Sequence, residues 1–533
     1  MDLNDIEVVE PLTPIQEFYC NSNVFITGGT GFLGRMLVEK LLRSCPDIDT
    51  IYLLVRKKCG REPKERIDVM LEDPIFTTIR SKAELKKKLV PLRGDCTLPH
   101  LGLKEEDKQT LIEKANIVFH LAATVRLGEK LKIAANINVT GTYEVLKLCN
   151  AMTRLKSLVF VSTAYSHCHN AMISERFFPS PTEPKQLMNL AKNLNDSLME
   201  ELTPRLLQKY PNSYTFTKAV AEELLHEFGK NLPRLLQKYP NSYTFTKAVA
   251  EELLHEFGKN LPAAIIRPSL VVSSYKEPFG GYVNTFYGIT SVISIVSCGL
   301  LKSLHCDGEK TANIVPADMC VNAMIAIAVD AARSFKTRPE ENNIDIPIYH
   351  FESSRDMPLT WKEYISKTME TIKKFPTMQT VWYNTFTLQK HYLIHMLLVI
   401  IYNFIPGMFS DFFMMIFGRS PWYMKTFKST FRMTNELSYF TTNNFTFLSK
   451  RMHYLLDRMS AEDKKIFFCD LRQLQWDEFF GTYFLGMRMY VLRDPIKTAK
   501  AARKRLDRLH LITKIYKIIF VLVIVFLAYY MFM

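Results

Sequence analysis

Eight residues near the N-terminus, Thr27-Gly28-Gly29-Thr30-Gly31-Phe32-Leu33-Gly34, constrain this chain more than any other stretch. Gly28, Gly31 and Gly34 keep a GxxGxxG spacing between a β-rich run, Val24–Thr27, and a stretch of helical periodicity, Phe32–Leu42. Glycines placed so let the backbone turn sharply and approach a pyrophosphate, which then meets the amide donors of the helix N-terminus. Ile51–Val55 is short and apolar enough for a buried parallel strand, and similar runs follow at Ile117–Leu121, Leu158–Val161 and Ala263–Ile266, with helical stretches between them. Strands alternating with helices predict an α/β fold, a Rossmann-type doubly wound parallel sheet with its ligand at the carboxyl ends of the strands.

The end of the second strand selects among dinucleotides. NAD enzymes place Asp or Glu there to bond the ribose 2′-hydroxyl, whereas this chain has Val55-Arg56-Lys57-Lys58. Arg56 can stack on adenine or fork onto a 2′-phosphate, and Lys57 adds positive potential, which favours NADPH.

A Tyr-x-x-x-Lys pattern supplies the chemistry. Tyrosine and lysine four residues apart share a helical face, where the lysine cation is expected to lower the phenol's pKa and to bond the nicotinamide ribose. The phenol then protonates the oxygen of a carbonyl that receives hydride. Ser162 and Thr163, at the end of the run Leu158–Val161, could hold that oxygen. The pattern occurs twice, as Tyr214/Lys218 and Tyr243/Lys247, because residues 204–232 recur unchanged at 233–261. Two copies do not make a solenoid. A doubly wound domain needs one such helix, and the second copy runs directly into the strand at Ala263, so Tyr243/Lys247 is the favoured pair.

The rest of the chain divides by style. After a short N-terminal segment (1–20), residues 21–342 read as the dinucleotide-binding domain, repeat included. Residues 343–495 read as a mostly helical C-terminal domain. Within it His391–Gly418 is strongly apolar but interrupted by Pro406-Gly407 and Asp411. Its halves favour core helices, with a membrane-facing or acyl-chain-lining hairpin as the alternative.

Much of the +14 formal charge collects in residues 496–510, immediately before an apolar tail, 511–533. Counted from Leu511, with Lys514 and Lys517 snorkelling, a helix there reaches about 34 Å, enough for a ~30 Å hydrocarbon core. The expectation is a transmembrane anchor with the catalytic body in the cytosol. The basic residues flank this tail, and no recognition motif accompanies them, so nucleic acid is not the expected partner. Ten cysteines without CxxC pairs, and the absence of an apolar leader, argue against a disulfide framework and for a reducing compartment. No metal-ligand spacing occurs.

These residues together resemble the fatty acyl-CoA reductases, and the resemblance covers nearly the whole chain. Beside TGGTGFLG it rests on LLRSCPDIDTIYLLVRKK (41–58), RGDCTLPHLGL (93–103), HLAATVRLGEKL (120–131), NVTGTYEVLKL (138–148), FVSTAY (160–165), YTFTK, IIRPSLVVSSYKEPFGGYV (265–283) and WDEFFGTYFLGMRMYVLRD (476–494). The resemblance implies two successive NADPH-dependent reductions. A long-chain acyl-CoA thioester loses coenzyme A, and the retained aldehyde is reduced to a primary alcohol. It makes Asp95 an adenine contact and Ala122, Ala123 and Thr124 a wall beside the nicotinamide. Asn138 would order the proton relay, Thr163 rather than Ser162 would be the active-site hydroxyl, and Pro268 and Ser269 would line the nicotinamide pocket. His120 is given no role. A homodimer is compatible with related Rossmann reductases, and the endoplasmic reticulum or the peroxisome suits a tail-anchored lipid enzyme. Two rival readings stand beside this one: a catalytically impaired, membrane-tethered NADPH-binding scaffold, favoured only by the duplicated helix, and another extended short-chain reductase acting on a lipid carbonyl.

Overall fold

The computed structural model describes residues 11–79, 82–180, 182–200, 239–337 and 346–532. Seven strands form one fully parallel sheet: β1 (Asn23–Thr27), β2 (Thr50–Val55), β3 (Leu89–Arg93), β4 (Ile117–His120), β5 (Ser157–Val161), β6 (Ala263–Pro268) and β7 (Ile348–Phe351). Their spatial order is 7-6-5-4-1-2-3, so the chain reverses direction between β1 and β4. That crevice is where doubly wound sheets bind ligands. Both faces of the strands are apolar because both are covered. Phe25 of β1 joins a core with α3 (Gly141–Ala151) and α4 (Ser242–Phe257). The opposite face lies under α1 (Phe32–Ser44) and α5 (Ala317–Lys336).

Five strands fall where the apolar runs predicted them. β3 and β7 are additional, and each sits at a sheet edge. Pro91 inside β3 argues against a strand from sequence, yet an edge tolerates a residue with no N–H to donate. Contacts group the chain into two interleaved units: Met1–Ser269 with Ala317–Glu352 and Thr446–Arg472, and Leu270–Pro316 with Ser353–Phe445 and Gln473–Met533. The sequence suggests one cut near residue 343, whereas β7, beyond that point, completes the sheet against β6. Pairing of distant segments leaves no local mark in composition.

The second unit is mainly helical, with α6 (Trp361–Lys374), α7 (Tyr392–Ile416), α8 (Tyr423–Thr442), α9 (Trp476–Gly486) and α10 (Ala499–Phe532). Tyr364 of α6 and Tyr483 of α9 join hydroxyls at 2.6 Å. Beyond α9, the fully buried Arg488 donates from Nε to Asp494 Oδ2 at 3.2 Å. The favoured expectation of two core helices in His391–Gly418 does not hold. α7 is one helix of 25 residues with most of its apolar side chains exposed. A π-turn over Ile400–Phe404 widens the coil just before Pro406, where a missing N–H and the ring would otherwise break it. Asp411 does not interrupt it either. Its carboxylate is buried and accepts the amides of Trp422, Tyr423 and Met424 at the start of α8. Most of the basic stretch and the apolar tail to Phe532 form the single 34-residue helix α10.

Candidate active site

The turn after β1 depends on glycine at two points. Gly28 has φ +75°, and a Cβ there would lie 2.8 Å from the Ala122 amide nitrogen. A Cβ on Gly34 would fall 2.3 Å from the Gly28 carbonyl oxygen. Gly31 is the N-cap of α1 and, as glycine, brings no side chain to cap the helix. The first amides of α1 are arranged for an anion. Gly29 packs on Leu53.

Thr27 fixes the floor beneath this turn. Its hydroxyl meets His120 Nδ1 at 2.6 Å and accepts the Ala122 amide at 3.3 Å. His120 Nε2 continues to Thr142 Oγ1 at 3.0 Å, and Thr142 donates to the Asn138 carbonyl at 2.7 Å. Burial, then the nearby Lys247, push the His120 pKa down to about 3, so the ring is neutral and serves as a connector.

Three guanidiniums gather at the rim. Thr30 accepts from Arg35 Nε on its carbonyl (3.1 Å) and from Arg66 Nη2 on its hydroxyl (3.1 Å), while Arg66 Nη1 holds the Arg56 carbonyl at 2.6 Å. Burial, and then repulsion by Arg56 and Arg35, lower the pKa of Arg66. With Arg35 paired to Asp73 at 2.6 Å, Arg56 and Arg66 are the cations of this cluster best suited to an anion. Arg56 also lies 3.9 Å from Asp95, whose Oδ1 accepts the amide and hydroxyl of Thr97 at 3.0 and 2.9 Å. Lys57 instead pairs with Glu62 at 2.7 Å. Arg66 escaped the sequence reading. The available signal was α2 (Pro63–Leu71), a helix opened by proline that carries arginine at its fourth position.

Tyr243 and Lys247 lie on the first turns of α4, whose N-cap Asn241 accepts the Thr244 amide at 2.9 Å. Tyr243 shares a hydrogen bond with Thr163, the N-cap of the short 3₁₀ turn Ala164–His167 that follows β5. Burial raises the phenol's pKa to about 12 against that bond. The expected lowering by the lysine is therefore overturned. Lys247 is 2% exposed, donates to the Val161 carbonyl at 2.8 Å and sits 4.7 Å above the Phe160 ring. Burial lowers its own pKa to about 8, with Glu251 opposing.

The two candidate hydroxyls diverge. Thr163 meets Tyr243, whereas Ser162 donates to Glu251. Glu251 also receives Ser166 (3.0 Å), His167 Nε2 (3.0 Å) and a fork from Arg267, Nε at 3.0 Å and Nη2 at 2.6 Å. Burial alone would raise the Glu251 pKa; Arg267 and then His167 outweigh it and hold the carboxyl well below its usual range.

Asn138 joins the parts. It lies on a π-turn, Asn136–Thr140, leading into α3. Its Oδ1 accepts the Thr124 amide at 2.9 Å, and its Nδ2 donates to Thr246 of α4 at 3.0 Å. Ala123 and Thr124 are half-buried in the loop after β4. Pro268 closes β6. The Ser269 amide donates to the Phe351 carbonyl at 3.0 Å, and its buried hydroxyl has no protein partner among the described residues. Tyr214 and Lys218 of the first repeat copy lie outside the described residues.

The glycine-capped helix N-terminus, the close approach at Gly28 and the unanswered Ser269 hydroxyl together fit a dinucleotide laid across the strand ends. Comparison with known proteins agrees. A family model described as a male sterility protein, in its NAD-binding form, matches residues 26–236 and again 230–324, breaking within the repeat. A second model of the same description matches 402–494. "Fatty acyl-CoA reductase wat" of Drosophila melanogaster is 34% identical over 505 residues, covering 95% of this chain and 90% of that protein. Human "Fatty acyl-CoA reductase 1" is 33% identical over 499 residues, covering 93% and 90%. Among solved structures, the terminal R domain of the myxalamid pathway (TM-score 0.51, 19% identity, 88% and 91% covered) shares the fold. So does the reductase domain of a nonribosomal peptide synthetase from Mycobacterium tuberculosis (0.52, 16%, 88% and 92%). With a third of its residues shared over nearly its full length, the chain belongs to the fatty acyl-CoA reductase family.

Proposed function

We propose that this protein reduces long-chain fatty acyl-CoA to the primary alcohol with NADPH, releasing coenzyme A and retaining the aldehyde between the two reductions. The observation that carries this reading is the Tyr243–Thr163 hydrogen bond beside Lys247, joined through Asn138 to the loop after β4. NADPH supplies the hydride when bound. Gly28, Gly31 and the first amides of α1 would hold its pyrophosphate, and Arg56, with Arg35 and Arg66, its 2′-phosphate. Asp95 would stand at the adenine, and Ala122, Ala123, Thr124, Pro268 and Ser269 at the nicotinamide.

Tyr243, with a pKa near 12, keeps its proton at neutral pH and is a donor to a carbonyl oxygen. It would serve first the thioester and then the aldehyde. Thr163 would hold the same oxygen, and Lys247, one helical turn after the tyrosine, would supply positive charge to the site. Ser162 is occupied by Glu251 and has a structural part. The second unit contains a cavity of about 520 Å³ lined by Phe286, Ile295, Leu300, Met433 and Leu492 among others, in keeping with an alkyl substrate. The apolar end of α10 serves in this reading as the anchor, in the endoplasmic reticulum or the peroxisome.

The test is a product assay on the full chain in yeast membranes, supplied with NADPH and a C16 or C18 acyl-CoA. The expected product is fatty alcohol, lost in Tyr243→Phe and kept in Tyr214→Phe. Silence from the parent chain that persists after deletion of residues 204–232, in a protein that still binds NADPH, would favour the scaffold reading.

A further inference from the structure

Helix α7 is built inside out. Its buried positions, His395, Val399, Asn403, Gly407 and Asp411, recur every four residues and form one narrow stripe. Apart from Val399, that stripe carries polar or small groups. His395 Nδ1 meets Ser303 Oγ at 2.9 Å, and Asn403 Nδ2 donates to the Leu300 carbonyl at 2.7 Å. Gly407 lets the Tyr423 ring within 2.5 Å of where a Cβ would stand. Asp411 binds the first amides of α8. The outward positions are apolar instead: Leu393 is 82% exposed, Phe417 75%, and Leu397, Phe409, Phe412 and Phe413 each more than half. A helix solvated by water shows the reverse pattern, and an exposed apolar area of this size marks a contact surface.

Charge identifies what covers it. Between Tyr392 and Phe417 the only charged residue is the inward Asp411. Beyond Gly418 come the exposed Arg419, Lys425, Lys428 and Arg432, with no carboxylate from 412 to 435. A second copy docked face to face would set these cations against their own kind. Lipid phosphates would meet them with opposite charge, at about 1 kcal/mol for each cation near an anionic surface.

The packing of α8 decides the orientation. α8 runs back along α7, with Phe404 and Phe427 rings 6.3 Å apart, so Lys425 and Lys428 stand beside the middle of α7. A transmembrane crossing would carry them into hydrocarbon at roughly 2.5–3.5 kcal/mol each. An in-plane helix leaves them at the headgroups.

We propose that α7 lies flat in one leaflet of an anionic membrane, its aromatic face among the acyl chains and the cations of α8 at the phosphates. This contact is separate from the C-terminal helix and does not rest on the reading of the active site.

The experiment uses the full chain in yeast membranes with a benzophenone amino acid at Phe409, at Phe413, or at Glu105, an exposed position on the first unit. All are outward positions, and unaltered thermal unfolding confirms the fold of each variant. Irradiation is expected to give at least fivefold more lipid adduct at 409 and 413 than at 105. Protein adducts, or no adducts, at 409 and 413 overturn the proposal. In vesicles of phosphatidylcholine and phosphatidylserine, a fluorescent amino acid at Ile405, an exposed position at the middle of α7, is expected to be quenched more by lipids brominated at carbons 6 and 7 than at 11 and 12. Stronger quenching by the deeper bromines means a crossing helix and overturns the in-plane placement.

Discussion

Thr246 Oγ1 receives the Asn138 side-chain amide at 3.0 Å, and this one bond ties the π-turn leading into α3 to the helix that carries Tyr243 and Lys247. Thr246 spends its own proton on the Ser242 carbonyl at 2.7 Å, so it can only accept from Asn138. Asn138→Ala leaves the half-buried Thr124 amide without its acceptor, a loss of about 1 kcal/mol. The expected outcome is a lower Tm and at least a tenfold lower kcat. Thr246→Val removes one of the three bonds of the Asn138 side chain and is expected to cost less than Asn138→Ala in both measurements.

Lys247 sets a pH limit. Its folded pKa of about 8 lies below the ordinary 10.5, so the unfolded chain binds that proton more tightly. Burying the cation therefore weakens the fold below about pH 8, and this penalty is relieved as pH rises from about 8 to 10.5. Activity moves the other way if the cation is required: kcat/KM falls as pH rises through about 8. A pH profile of fatty alcohol formation checks this. Lys247→Arg, whose charge persists, is expected to lose that falling limb, though at a lower plateau.

Arg66 should discriminate between cofactors. It meets the Thr30 hydroxyl and the Arg56 carbonyl, where a 2′-phosphate would relieve its repulsion by Arg56 and Arg35. Arg66→Gln is expected to raise the KM for NADPH roughly 10- to 100-fold, the loss of about 1.4–3 kcal/mol of charge-assisted bonding. The KM for NADH should change little. Equal effects on both cofactors would place Arg66 in the support of the turn alone.

Glu251 and Arg267 form a buried fork that must be removed as a pair or not at all. Arg267→Met strands the carboxylate and is expected to cost about 3–5 kcal/mol. Arg267→Met with Glu251→Gln should recover part of that loss in the unfolding midpoint. The Glu251 pKa is held well below its ordinary 4.5, so its contribution is complete above that pH and is lost only as pH falls through the depressed folded value.

Gly28→Ala tests the turn. Its positive φ alone makes alanine unfavourable by about 1–2 kcal/mol, and the new Cβ meets the Ala122 backbone. Quenching of protein fluorescence by NADPH is expected to weaken at least tenfold.

Local pattern was enough for the parts of this protein that local physics dictates. The glycine turn, five of the seven strands and the Tyr-x-x-x-Lys helix were legible because each announces itself within a few residues, through backbone freedom or periodicity. Thr163 stood out from Ser162 only through the family resemblance. The structure supplies a physical reason, because Glu251, 89 residues from Ser162, takes up that serine. Arg66 was invisible for the same cause, since its value lies in two other arginines brought beside it. Tyr243 went against expectation because burial, a property of the packed site, outweighs the Thr163 hydrogen bond. α7 shows the limit most plainly. Its composition reads as core, and only the tertiary fold reveals that its few polar side chains face inward while its aromatic side chains face out. The dinucleotide fold and the chemistry class are encoded in short-range spacing and can be read from the chain alone. Tertiary structure decided which hydroxyl meets the tyrosine, which arginines converge and which face of an apolar helix is covered, because each depends on residues far apart in the chain.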